Sequence, residues 1–296
     1  MVRRRLWQKI VMAKIVGVHG INQEFRGSNT IHAEWLPALK DGLDRVGVPL
    51  ESDNEFHCAF YGDLFRGRSK SVIGIPNYDA SDIDSDWEKF LLQQWWAEAA
   101  KVEDGIKGPS DLSREKARVP RSVQKALSAL SGSKFFGGVA EKIVIFSLKQ
   151  VGGYLHDHNL RNQIRDRVVK AIDEDTRVLV GHSLGSIVCY ETLCQHPEWS
   201  VKVFVTLGSP LGIKRLIFDR LEPSPHANLG HWPGSVKKWI NIADAGDIVA
   251  LEKQLNPLFN GLVEDKLVHN GSTAHDAKNY LTAAETGEAI KLGLID

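Results

Sequence analysis

The sequence predicts an α/β fold, a mostly parallel central sheet with helices on both faces, and three observations predict it. Short β-branched runs alternate along the chain with segments of helical periodicity, the order that builds a parallel sheet. The runs are apolar throughout rather than alternating with polar residues, as strands buried on both faces are. Several of them end at a glycine turn: KIVGV before His19-Gly20, VLV before Gly181, and VKVFVTL before Gly208.

The elements follow in order. Residues 14–18 read as a buried strand. Residues 33–46 read as an amphipathic helix, because Leu36, Leu39, Leu43 and Val46 recur at helical spacing, and Gly47-Val48-Pro49 ends it. Residues 56–62 look like a second strand. From 66 to 152 the character changes, with polar and glycine-rich connectors at 67–71, 105–113 and 131–133 separating helical patterns. This is read as a helical cap or lid inserted into a single domain of residues 1–296. Ser85 is placed to cap a helix in which Trp87, Phe90, Leu91 and Trp95 make an apolar stripe. Such a stripe packs onto the core, while the other side of the cap covers a pocket. A second apolar helix runs near 139–151. Beyond Asn159 the alternation resumes: helix 160–172, strand 178–180, helix 184–195 stopped by His196-Pro197, strand 201–207, strand 238–242, and a closing helix over 276–292. In a sheet of this kind the active loops lie at the carboxyl ends of the strands.

Composition narrows the partners. Among 296 residues, Lys plus Arg and Asp plus Glu both total 37, so no global field favours nucleic acid. The three cysteines, Cys58, Cys189 and Cys194, have neither the number for a disulfide framework nor the spacing of a metal site, which suits a reducing compartment. Gln8, Lys9 and Lys14 interrupt the apolar residues behind the first arginines, so no signal peptide is read; the expectation is a cytoplasmic protein, with Met12 a candidate natural start. No stretch approaches the roughly 20 apolar residues of a spanning helix, so no integral membrane segment is expected.

One segment carries chemistry. In RVLVGHSLGSIVCYETL, Gly181-His182-Ser183-Leu184-Gly185 fits Gly-x-Ser-x-Gly. In a chain with 26 glycines that spacing lies within reach of chance, so its setting matters more than its letters. The motif is catalytic where a strand turns abruptly into a helix, lifting the serine hydroxyl above the sheet with the helix amino end aimed at developing negative charge. Val178-Leu179-Val180 supplies the strand and Leu184 onward the helix.

A serine hydroxyl also needs a base and a carboxylate to orient that base. The strand at 239–242 runs into Ala243-Asp244-Ala245-Gly246-Asp247. Asp247 is preferred as the acid, because Asp244 suits a turn former that bonds its own backbone. Of the downstream histidines, His275 sits in a small-residue loop before the final helix, whereas His269 ends Lys266-Leu267-Val268 and looks like a strand residue. His275 is therefore the preferred base. For the oxyanion hole, Leu184 N–H is one donor. Ile21 N–H, in the loop Val18-His19-Gly20-Ile21-Asn22, is the other, with His19 or Asn22 bracing the loop. His19, Gly20 and His182 flank the nucleophile and are assigned to substrate binding, His182 pointing away from Ser183 along the elbow.

These segments resemble the α/β-hydrolase superfamily, and within it the serine lipases and esterases with a His-Gly-Ile loop, including bacterial lipases and the eukaryotic deacylases of glycosylphosphatidylinositol anchors. The likeness rests on VHGIN, GHSLG, TLGSPLG, INIADAGDIVA and AHDAKNYL, which lie in family order and span the chain. Leu211 departs from the histidine many of those lipases carry after the proline. The resemblance implies acyl transfer to water. Ser183 attacks a carbonyl, His275 moves the proton, Asp247 holds the imidazole, and Ile21 and Leu184 stabilise the oxyanion, with no metal and no organic cofactor. The leading expectation is a carboxylic-ester hydrolase, esterase or lipase, acting on a small-molecule or lipid ester in an apolar site roofed by the inserted helices. An acyltransferase, thioesterase or peptidase would use the same triad, and a silent binding or signalling protein would keep only the scaffold. His156-Asp157-His158, whose spacing occurs in some metal sites, reads instead as a solvated helix cap.

Overall fold

The computed structural model describes residues 13–66, 75–109 and 119–295. The expected start at Met12 and the connector at 67–71 lie outside the described residues, as does the end of the connector at 105–113.

Six strands form one parallel sheet: β1 (Ile15–Val18), β2 (Phe56–Ala59), β3 (Val178–His182), β4 (Val203–Leu207), β5 (Lys238–Asp244) and β6 (Glu264–Val268), in the order β2-β1-β3-β4-β5-β6. The register pairs Ile15 with Phe56 on one side and with Val178 on the other. The order therefore reverses direction at β1. In a sheet covered on both faces, that reversal opens a crevice at the carboxyl ends of β1 and β3, the place where such folds hold ligands. His19 follows β1 there, and Ser183 follows β3.

Side chains on the central strands point alternately into two cores. On one face Ile15, Val178, Val180, Val205 and Ile240 pack against α1 (Ser28–Asp44), α7 (Ala277–Thr282) and α8 (Ala284–Leu294). On the other, Val16, Leu179, Phe204 and Trp239 meet a layer formed by α4 (Glu141–His156), α5 (His158–Val169) and α6 (Leu184–Gln195), to which α2 (Asp86–Val102) and α3 (Val119–Ser131) are packed. Each large apolar side chain buried this way contributes roughly 1.5 to 3 kcal/mol. Every residue of α6 from Leu184 to Leu193 is buried, as expected of a helix apolar all round. Its one acid, Glu191, is held by Arg161 Nε at 2.9 Å and the Tyr154 hydroxyl at 2.6 Å, which ties α4 and α5 to the helix behind Ser183.

Ser85 caps α2 as its sequence predicts, accepting from Glu88 N–H at 3.1 Å while the Glu88 carboxylate reaches back to Ser85 N–H. Asp157 closes α4 and caps α5, accepting from Asn159 and Leu160 N–H, both at 3.0 Å, with His158 exposed on the first turn.

Several boundaries differ from expectation. The helix expected at 33–46 begins at Ser28, behind Gly27, which offers no side-chain cap to betray it. The second strand stops at Ala59 because Tyr61 turns onto His19. The helix expected at 160–172 runs from His158 to Val169 because of the Asp157 cap. The closing helix is two helices. Ala283 between them is extended (ψ 140°), and Thr286 Oγ1 donates to the Tyr280 carbonyl at 2.6 Å, satisfying the end of α7. His269 stands just past β6, an edge strand whose Glu264, Asp265 and Lys266 keep it unattractive to other chains.

Candidate active site

Ser183 joins β3 to α6 with φ 54° and ψ −128°, a conformation that a side chain rarely takes. The turn is tight enough to need both motif glycines. A Cβ on Gly185 would stand 2.2 Å from the Val18 carbonyl oxygen, and one on Gly181 would stand 2.6 Å from Ser186 Cα. Ser183 N–H donates to Leu207 O at 3.0 Å, so the strained residue is anchored to the adjoining strand. The Ser186 hydroxyl donates to the Ser183 carbonyl at 2.6 Å and lies 2.7 Å from Ser209 Oγ.

Loops at the carboxyl ends of β5 and β6 bring Asp247 and His275 together. The His275 ring stands 2.6 Å from Asp247, Nδ1 to Oδ2. A carboxylate only accepts, so Nδ1 carries the proton and Nε2 keeps its lone pair. The Asp247 side chain is wholly buried, and its other oxygen accepts from Val249 N–H at 2.9 Å and Ala250 N–H at 3.3 Å. Burial pushes this carboxyl up, but the His275 ring, the Val249 N–H and Lys253 together outweigh it and hold Asp247 below the ordinary carboxylate range. The Lys253 ammonium donates to the Asp247 carbonyl. Asp244 plays a different part, accepting from Gly246 N–H at 2.6 Å and from Asn270 N–H, which sets the two loops against each other.

His182 lies beneath His275, ring centroids 4.6 Å apart, and its Nε2–H donates to the His275 carbonyl at 2.8 Å. Burial, then the neighbouring His275, lowers it to about 3, so it is a neutral prop. Gly208, at φ 54°, leaves room for the pair: a Cβ there would meet Asp247 Oδ2 at 2.6 Å and His275 Nδ1 at 3.0 Å.

The loop after β1 lies on Ser183. A Cβ on Gly20 would stand 2.6 Å from Ser183 Cβ and 3.1 Å from its Oγ. His19 is buried and lowered to about 4 by that burial. Tyr61 N–H donates to its Nε2 at 3.2 Å, leaving Nδ1–H to donate to Gly20 O at 2.7 Å, and Tyr61 stacks on the ring at 4.1 Å. Among the described residues neither Ile21 N–H nor Leu184 N–H has a hydrogen-bond partner in the chain. Ser183 Oγ likewise makes no hydrogen bond with His275 there.

Asn22, at φ 61°, is clamped by α4. Its N–H donates to Gln150 Oε1 at 2.8 Å, its Nδ2 to Ser147 Oγ at 2.9 Å, and Gln150 Nε2 donates to Glu24 at 3.0 Å.

All eight residues singled out from the sequence converge on this corner. A cavity of about 490 Å³ is lined by His19, Gly20, Ile21, His182, Ser183 and His275, and its far wall comes from Trp95, Phe135, Phe136, Val139 and Ile143 of the inserted region. Leu184 lines a second, smaller space that also touches Ser183. The Phe135 ring stands 5.3 Å from that of His275, so the inserted region covers this side chain directly. Trp95, from the expected stripe, is both buried among core residues and part of the cavity wall.

Sequence reasoning missed four contributors. Tyr280 donates to Asp247 Oδ2 at 2.8 Å; it lies inside AHDAKNYL, one turn into α7, where its spacing from His275 was the available signal. Ser147 and Gln150 stand as uncharged polar residues in the largely apolar run IVIFSLKQV, a signal of a buried role. Gly208 reads in the sequence only as a strand end. Comparison with family models, with curated proteins and with solved structures finds no match for this chain.

Proposed function

We propose that this chain is a serine hydrolase that cleaves a carboxylic ester through an acyl-enzyme. The observation that carries the reading is the convergence around a strained Ser183 of a hydrogen-bonded Asp247–His275 pair and two unpaired N–H groups, those of Ile21 and Leu184. The likeness of GHSLG and its flanking segments to α/β-hydrolase lipases and esterases supports the same reading.

The chemistry follows from the geometry. His275 Nε2 takes the Ser183 hydroxyl proton as Oγ bonds to the ester carbonyl carbon, and the carbonyl oxygen becomes an alkoxide facing Ile21 and Leu184 N–H. As the alkoxide collapses, the carbon–oxygen bond to the alcohol breaks and His275 returns its proton to the departing oxygen. Water then bonds to the acyl carbon, giving one proton to His275. The bond to Ser183 Oγ breaks, Oγ recovers that proton, and the acid leaves. Buried anionic Asp247 stabilises the imidazolium at both stages. The Ser183–His275 hydrogen bond forms when a bound ester confines Oγ, as catalytic hydrogen bonds commonly tighten in the Michaelis complex.

A fluorophosphonate probe with mass-spectrometric readout tests this. Wild type is labelled at Ser183 and Ser183→Ala is not; a folded wild type that resists the probe and hydrolyses no nitrophenyl ester would sink the reading.

A further inference from the structure

Two unequal spaces meet at Ser183, and their chemistry assigns the halves of the ester. The larger, about 490 Å³, is lined by His275 and, among others, by the Arg26–Glu34 ion pair and Lys278. The smaller, about 10 Å³, contains Ile21 and Leu184 but not His275, and is walled by Leu91, Val151, Ile213 and Ile217. The departing alcohol oxygen must receive its proton from His275, so the alcohol occupies the large space. The carbonyl oxygen faces Ile21 and Leu184 N–H, and the acyl substituent takes the remaining direction, beyond the oxyanion donors and into the small space. The centre of a water-sized group can range over only about 10 Å³ there, so the space takes a methyl-sized group and not a long chain. Its walls are buried apolar side chains in a close-packed core, which do not give way without strain.

Resting on the hydrolase reading above, we propose that the substrates are esters of very short carboxylic acids, acetyl in size, joined to a much larger alcohol. The bond broken is the ester carbon–oxygen bond by the steps already given; only the acyl group's size is specified here.

The test is a series of nitrophenyl esters from acetate to decanoate, each kcat/KM divided by the ester's rate with hydroxide. The expected profile peaks at acetate and falls at least roughly tenfold by hexanoate, the scale on which single methylenes are discriminated. Val151→Ala and Ile213→Ala enlarge the small space and move the peak to longer chains; if one variant does not fold, the other and the wild-type profile still decide. A wild-type peak at hexanoate or beyond, with Ser183 labelled by the fluorophosphonate probe, overturns the acyl-size inference alone. Loss of both probe labelling and ester hydrolysis in folded protein overturns the hydrolase reading and this inference with it.

Discussion

The Tyr280 hydroxyl lies 2.8 Å from Asp247 Oδ2, the same oxygen that accepts the His275 Nδ1 proton at 2.6 Å. The phenol also accepts from Asp244 N–H at 2.9 Å, so it is fixed by the loop whose acid it supports. Burial, and then the Asp247 charge, hold the phenol well above its usual range, so it stays a donor at all working pH values. Tyr280→Phe leaves a buried carboxylate short of one donor, at a cost of about 1 to 3 kcal/mol. Asp247 then titrates higher. The expected result is a kcat/KM lowered about tenfold or more, with the acid limb of the pH–rate profile moved to higher pH. A profile superimposable on wild type would show that the phenol only packs.

Gly208 is expected to tolerate no side chain. In Gly208→Ala the Cβ meets Asp247 Oδ2 at 2.6 Å and carries the left-handed φ of 54° besides. Displacing the acid–base pair by a fraction of an ångström costs on the order of a hundredfold in kcat. Steady-state kinetics beside a thermal melt checks this: near-wild-type kcat would mean that the pair accommodates the methyl group.

The clamp from α4 makes a separate prediction. Gln150→Leu removes the acceptor for Asn22 N–H and the donor to Glu24, loosening the loop that carries Ile21 N–H. An oxyanion donor is worth about 2.7 to 4 kcal/mol when lost outright, and a loosened one forfeits part of that. On the proposed hydrolase reading kcat should fall by roughly tenfold while KM moves little, because the donor would act on the alkoxide rather than on the bound ester. A change confined to KM would place the clamp in substrate binding instead.

Stability should fall on mild acidification. His19 and His182 are held near 4 and 3 in the folded chain, against about 6.5 when unfolded. Between pH 6.5 and 4 the unfolded chain therefore binds protons that the folded chain refuses, so stability is fully present above 6.5 and drains away below it. Each unit of depression is worth about 1.4 kcal/mol, and two buried rings add to several kcal/mol by the acid end. Asp247, depressed below its usual range, acts in the same direction lower down, its contribution disappearing as pH falls through its folded value. Urea midpoints at pH 7 and 5 test the point. His19→Asn should flatten the slope, and a wild-type midpoint unchanged between the two pH values would contradict the buried neutral rings.

Much of the fold was legible because its signals are local. β1, β3 and β4 are runs of buried, mostly β-branched residues, β5 buries Trp239, Ile240 and Ile242, and α2 announces itself with Ser85 and Glu88. β6 was obscure because an edge strand carries charge where a central one is apolar, and the start of α1 because Gly27 supplies no capping side chain. Within the candidate site, Ser183 was legible because the strand, the two glycines and the helix that bend its backbone are sequence neighbours. His275 and Asp247 were legible as loop residues after strands, each with a rival close by.

By itself, then, the sequence determined the sheet class, the elbow at Ser183 and the short roster of groups able to act with it, since periodicity and turn chemistry act over a few residues. Only the tertiary structure decided that Asp247 rather than Asp244 meets His275, that Tyr280 supports the acid from 33 residues away, and that Gln150 of α4 clamps a loop 128 residues earlier. It also set a large space against a small one at the same hydroxyl. Those outcomes depend on which surfaces close over one another when the chain buries its apolar faces, and no local pattern encodes a distance between segments that meet only on folding.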